Sequence, residues 1–164
     1  FSLIKYLETH EVENYSDFEA VISAVSPESI DSINSESVAD FCINIDYENQ
    51  IVSVLTDEEP IITSSGVSDT VSCSYYNDLG FKIFTISITG YFTYSSGWCY
   101  TSSASGSYTR ASLSTWTSTP TISSGNFTST VAYARISGTA TSGSNNLNYS
   151  LTLTCDDDGD LNSY

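Results

Sequence analysis

The sequence predicts a mainly β protein: an antiparallel β-sandwich, Ig-like or jelly-roll-like, with a short N-terminal helix. Three observations carry that expectation. After residue 40, apolar residues alternate with Ser, Thr and Asn in several stretches, the period-two signature of half-buried strands. Clusters of Gly, Ser and Asn separate those stretches at intervals of about ten residues, as in sandwiches and barrels. The stretch from Phe81 to Cys155 holds no Asp or Glu and only three cations, Lys82, Arg110 and Arg135. All twenty acidic residues lie outside it.

A chain of 164 residues has room for one core plus an appendage. Residues 1–40 read as a helical or irregular N-terminal segment and 41–164 as the sandwich. Ser16-Asp17-Phe18-Glu19 spells a capping box, in which Ser accepts a free backbone N–H and Glu reaches back. Phe18, Val21, Ile22 and Val25 fall on one helical face, and Pro27 stops it, which predicts a helix over 16–26. Residues 29–37 read as a polar linker. From Ala39 the period becomes two: Phe41, Ile43, Ile45 and Tyr47 form one strand, and Glu48–Gln50 turns it into Ile51–Leu55. Pro60 ends that hairpin. Ile61–Thr63 and Val67–Tyr76 follow, and Asn77–Gly80 is a turn.

Phe81–Tyr94 is the longest strand signal. Phe84, Ile86, Ile88, Phe92 and Tyr94 share one parity, with Gly90 among them as a bulge or a close approach. Beyond it, turns are expected at 95–97, 105–106 and 123–125. Strands are expected at Trp98–Ser103, Tyr108–Thr117 and Asn126–Ser137, then a flexible loop at 138–146. Leu147, Tyr149, Leu151, Leu153 and Cys155 alternate cleanly with polar residues as the last long strand, and Asp158-Gly159 marks a closing turn. Lys82 reads as a charge protecting a strand edge.

A net charge of -16 argues against nucleic acid and anionic membrane surfaces, which call for basic patches. No apolar run approaches the roughly 20 residues of a membrane helix, so no membrane insertion is expected. The first residue is Phe1, as in a mature chain whose signal peptide has been removed. Four cysteines favour two disulfides and an oxidising compartment. Of three pairings, Cys99–Cys155 with Cys42–Cys73 keeps each bridge within one compositional half. No Cys-x-x-Cys or Cys/His spacing suggests zinc.

Catalytic sets are thin. His10 is the only histidine and sits in an acidic terminal segment, and the acids form runs that read as exposed, none within the stretch 81–155. Asp156, Asp158 and Asp160 have the density of a weak hard-cation loop, but their spacing is not that of an EF-hand. No cofactor is expected. The aromatic residues carry the functional lead. Tyr91, Trp98, Tyr100 and Tyr108 stand among Ser, Thr and Asn, and amphipathic rings beside hydroxyls suit sugar faces.

Phe84–Trp98, the isolated Trp116, Thr130–Arg135 and the ending Leu151-Thr-Leu-Thr-Cys-Asp-Asp-Asp-Gly159 together resemble small secreted proteins of Gram-positive gut bacteria. Those proteins end soon after a Leu-Thr-Cys-Asp-x-x-Gly motif. The resemblance covers about the last 80 residues, implies a secreted, disulfide-stapled β-sandwich, and transfers no catalytic residue. The expected function is a secreted or cell-surface protein of binding or adhesion type, non-catalytic, whose partner is a glycan or a host or cell-wall protein. Two alternatives are a bacteriocin- or toxin-like protein acting on bacterial envelopes and a hydrolase using His10 or a carboxylate pair.

Overall fold

The computed structural model describes residues 1–29 and 37–164, so most of the expected polar linker lies outside the described residues. Two helices come first, α1 (Leu3–Thr9) and α2 (Tyr15–Val25), followed by a 3-10 turn at Pro27–Ser29. The strands are β1 (Val38–Asp46), β2 (Ile51–Glu58), β3 (Ile61–Ile62), β4 (Val67–Asn77), β5 (Lys82–Ser95), β6 (Trp98–Arg110), β7 (Thr121–Thr128), β8 (Val131–Ser142), β9 (Asn145–Asp156) and β10 (Leu161–Ser163). They form two antiparallel sheets. One has six strands in the order β1-β2-β4-β5-β6 with β3 beside β4; the other has four in the order β10-β9-β8-β7. The expected mainly β, sandwich-like fold is the one observed.

The sheets face each other through one parity of each strand. Val71 and Cys73 of β4 and Phe84, Ile86, Ile88 and Phe92 of β5 meet Ala132, Ala134 and Ile136 of β8 and Leu147, Tyr149, Leu151, Leu153 and Cys155 of β9. At the β6 side the sheets are also tied by polar bonds. Thr101 Oγ1 donates to the Tyr133 carbonyl at 2.8 Å, and the Cys99 N–H donates to the Ser129 carbonyl at 3.1 Å.

The opposite, outward face of the six-stranded sheet is covered at one end only. There Val52, Val54 and Tyr76 are buried under Leu3, Ile4, Tyr15, Phe18 and Ile22, with Phe41, Ile43 and Ile45 of β1 at the margin. Fully burying a large apolar side chain contributes roughly 1.5–3 kcal/mol, so Leu3, Phe18 and Ile22 bind the helices firmly to the sheet. The start of α2 differs from expectation. Asn14, not Ser16, is the N-cap: its side chain accepts from the Asp17 N–H at 3.0 Å, while Asp17 accepts from the Glu13 N–H at 3.2 Å. The reciprocal capping logic is kept, two residues upstream, because Tyr15 is buried and belongs to the helix. Lys82 is likewise no edge charge, since β5 runs between β4 and β6; its ammonium lies over the Tyr76 ring at 5.9 Å.

Three expected breaks are continuous strand. β6 passes through Ser105-Gly106, β7 through Ser123–Gly125, and β8 runs to Ser142, replacing the expected loop by a two-residue turn at Gly143-Ser144. The strand expected at Tyr108–Thr117 ends at Arg110. Gly106, Gly125 and Gly138 do not turn the chain; they make room. A Cβ on Gly106 would lie 2.6 Å from Ile122 Cδ1 and 2.8 Å from the Ser87 carbonyl oxygen, and one on Gly138 would meet the Tyr149 hydroxyl at 2.5 Å. Gly125 sits under the Tyr133 ring in the same way. Gly90 is a close approach, to the Phe92 ring, while the bulge falls one residue on, between Tyr91 and Phe92.

Gly106→Ala is expected to be overpacked. A cost of about 1–3 kcal/mol corresponds to a melting temperature lower by roughly 2–12 °C in thermal denaturation. Ser107→Ala, on the exposed side of the same strand, should leave it within about 2 °C.

Candidate functional site

The uncovered part of the outward face lies over β5 and β6. Residues paired across an antiparallel ladder point to one side, and here the outward set is Thr85, Ser87, Thr89, Tyr91, Thr93 and Ser95 on β5 with Thr109, Ser107, Ser105, Ser103, Tyr100 and Trp98 opposite them on β6. β4 adds a third row. Thr70 bonds Thr89 at 2.8 Å, Ser72 bonds Ser87 at 3.2 Å and Ser74 bonds Thr85 at 2.8 Å. The hydroxyls between β4 and β5 are therefore spent on each other, while the β6 serines face solvent.

The rings stand at the end of this face remote from the helices. Tyr91, Trp98 and Tyr100 are 51%, 42% and 47% exposed, and Trp98 and Tyr100 stack at 5.4 Å and 16° between planes. Beside Tyr91 runs a groove of about 270 Å³ lined by Ile61, Ser68, Thr93 and Ser102, among others. Three of the four predicted ring residues thus share one open face, flat, apolar and rimmed by hydroxyls.

Tyr108 does not join them. It pairs with Ile86, on the inward parity, stacks on Phe84 at 4.9 Å, and donates its hydroxyl to the Trp116 carbonyl at 3.1 Å. Burial pushes its phenol up to about 12. The bulge opposite Tyr91 and Phe92 is the reason: it puts one extra residue, Ser102, into β6, so Tyr100 and Tyr108, of equal parity in sequence, face opposite ways.

A second feature is a pair of carboxyls on β2 and β4. Asp69 lies in β4, an interior strand, with 4% exposure, on the same inward side as Val71 and Cys73. Asp57 pairs with Val71 from β2, so the two carboxyls are diagonal neighbours. With Asp40, Glu58, Asp160 and Tyr94 they line a cavity of about 260 Å³ between the mouths of the two sheets. Asp57 Oδ1 is buried and, among the described residues, is the one such side-chain atom without a hydrogen-bond partner. Burial first, then the bond to Asp69, raises the Asp57 carboxyl to about 8; burial raises Asp69 as well. Both carboxyls are thus held towards the protonated form, and one proton shared between them avoids two bare anions side by side. The parity of Asp69 with buried Val67, Val71 and Cys73 was the signal available in the sequence.

The remaining candidates resolve plainly. His10 is exposed at the end of α1, its ring stacked on Tyr6 at 4.0 Å and its Nδ1 near Thr9 Oγ1 and the Tyr6 carbonyl; among the described residues no carboxylate orients it. Asp156, Asp157 and Asp158 cluster in the last turn, but Asp156 Oδ1 accepts from the Asp158 and Asp160 N–H groups and Asp157 from the Gly97 N–H. Those bonds account for the loop.

Cys42 is exposed, and Cys73, Cys99 and Cys155 are buried. The Cys42–Cys73 bridge is corrected by the register: Cys42 pairs with Leu55, and Leu55 pairs with Cys73. Two strand spacings, about 10 Å, exceed the roughly 7 Å that a disulfide spans. Cys99 and Cys155 are both buried in the inter-sheet core, one from each sheet, and the Cys99 thiol hydrogen-bonds that of Cys155; burial raises both.

Comparison with known protein families, curated proteins and solved structures finds no match to this chain. No helix among the described residues is long and apolar enough to cross a membrane.

The carboxyl pair carries a pH signature. The folded protein holds the Asp57 proton more tightly than an unfolded chain does, so between about pH 4 and pH 8 unfolding releases a proton. Raising the pH through that window therefore destabilises the fold, with the loss complete above about 8. The melting temperature should fall from pH 5 to pH 9, and Asp57→Asn should flatten the fall; an equally steep fall in the variant would rule the pair out as its source.

Proposed function

We propose that this protein is a secreted or surface-associated binding protein, without catalysis, that takes a glycan on the outward face of the six-stranded sheet. The observation that carries the reading is the stacked, half-exposed Trp98–Tyr100 pair beside Tyr91, standing on a sheet face of hydroxyls. A sugar ring offers an apolar face of C–H groups and a rim of hydroxyls, and this surface matches both. The groove along Tyr91 adds a wall for a second residue of a chain. The resemblance of the C-terminal segment to small secreted proteins supports the compartment, as does the thiol pair Cys99 and Cys155 at the sheet-to-sheet contact.

Titration with soluble glycans selected from an array tests the reading. Trp98→Ala and Tyr100→Ala should each weaken binding about tenfold or more, the scale of a central aromatic contact. Tyr108→Phe should leave it unchanged, because that ring belongs to the inter-sheet core. Absence of binding to every glycan at high micromolar protein would remove the glycan form of the proposal.

The compartment has its own readout. Protein exported to an oxidising compartment should carry one disulfide joining the peptides of Cys99 and Cys155, with Cys42 and Cys73 alkylatable after unfolding. Closing that long loop should stabilise the fold by about 3–4 kcal/mol relative to the reduced form. Peptide mapping without reductant checks the linkage, and four alkylated cysteines in exported protein would contradict it.

A further inference from the structure

The outward face of the four-stranded sheet carries a different aromatic group. Phe127 of β7 and Tyr133 of β8 stack at 4.5 Å and 16°, and the Arg135 guanidinium lies 5.6 Å from the first ring centroid and 5.2 Å from the second. The register builds this patch. Tyr133 pairs with Gly125, whose missing side chain lets the ring lie flat across β7 towards Phe127, and Arg135 pairs with Thr152. Arg135 Nε donates to Thr152 Oγ1 at 2.9 Å, which fixes the guanidinium against a threonine that is itself only 1% exposed.

A guanidinium has five N–H donors in a planar fork. Nε is used, and the four Nη hydrogens find no protein acceptor among the described residues. In a chain with twenty acids and four Lys and Arg residues, this cation is paired with no carboxylate among the described residues. The cause is the charge segregation seen in the sequence, since no Asp or Glu lies between Phe81 and Cys155. Along β9 the first acid is Asp156, four residues beyond Thr152 and so about 13 Å along the strand, more than the roughly 8 Å over which charges act at physiological salt.

We propose that Phe127, Tyr133 and Arg135 form a binding site for a carboxylate-bearing sugar residue, a uronate. The Nη fork takes the carboxylate in two parallel hydrogen bonds, and the half-exposed Phe127 ring receives the apolar face of the sugar. The ligand class rests on the glycan reading above, but the residues and the sheet are different.

Isothermal titration at 0.15 M salt tests this with tetragalacturonic acid, its methyl ester and sodium acetate as probes. The acid should bind the wild type, and the ester should bind at least about tenfold more weakly, because it lacks the charge-assisted fork. Arg135→Lys, which keeps the charge and loses the fork, and Phe127→Ala, which keeps the fork and loses the platform, should each weaken the acid about tenfold. Trp98→Ala should not change it. Equal affinity for acid and ester, or an unchanged Arg135→Lys variant, overturns the proposal; so does acetate competing at the concentration of the sugar carboxylates. Neutral glycans bound at Trp98 with no uronate bound would remove this site alone. Uronate bound with no neutral glycan would remove the Trp98 reading alone.

Discussion

The inward face of β5 packs against β8 and β9, and the rest of the molecule is arranged around that contact. Phe84, Ile86, Ile88 and Phe92 are all but fully buried against Ala132, Ala134, Ile136, Leu151 and Leu153. A strand has two faces and a period of two, so committing these residues inward commits their neighbours outward. Thr85, Ser87, Thr89 and Tyr91 are therefore surface residues by the same act that builds the core. The helices then cover only the outward region where Val52, Val54 and Tyr76 are apolar, and leave the hydroxylated part open.

Charge follows the same geometry. Most acidic residues sit at the helices, on β1 and β2 and in the last turn, and the four strands that carry the exposed rings, β5, β6, β7 and β8, hold no carboxylate. Where the acidic half meets the inter-sheet core, at Asp57 and Asp69, the fold absorbs one of the charges by protonation. The two aromatic platforms differ accordingly in chemistry: Tyr91, Trp98 and Tyr100 stand on a face paired through Ser and Thr side chains, whereas Phe127 and Tyr133 hold an arginine.

Cysteine placement shows how a compositional argument and a register argument diverge. Grouping the four residues by sequence half gave two plausible bridges. The ladder leaves Cys42 and Cys73 on either side of Leu55, whereas Cys99 and Cys155 meet between the sheets. The case for an oxidising compartment accordingly rests on one pair, at the point where a bridge would join the two layers.

By itself, the sequence determined the class of fold, the strands with clean alternation, and the parity of β5 and β9. Those are local consequences of period-two patterning, and they needed no knowledge of neighbours. It also placed α2 to within a residue, although the cap went to Asn14 because Tyr15 had a core to enter. Tertiary structure alone decided the rest. Whether Gly106, Gly125 and Gly138 turn the chain or let it pass is settled by Ile122, Tyr133 and Tyr149 on neighbouring strands. Whether Tyr108 faces solvent with Tyr100 or the core with Phe84 is settled by a one-residue bulge. Asp57 and Asp69 meet only because β2 and β4 lie in register, and Arg135 meets Phe127 only because β7 folds back on β8. Alternation specifies which residues share a side, but pairing across strands specifies which of them touch, and sites are made by touch.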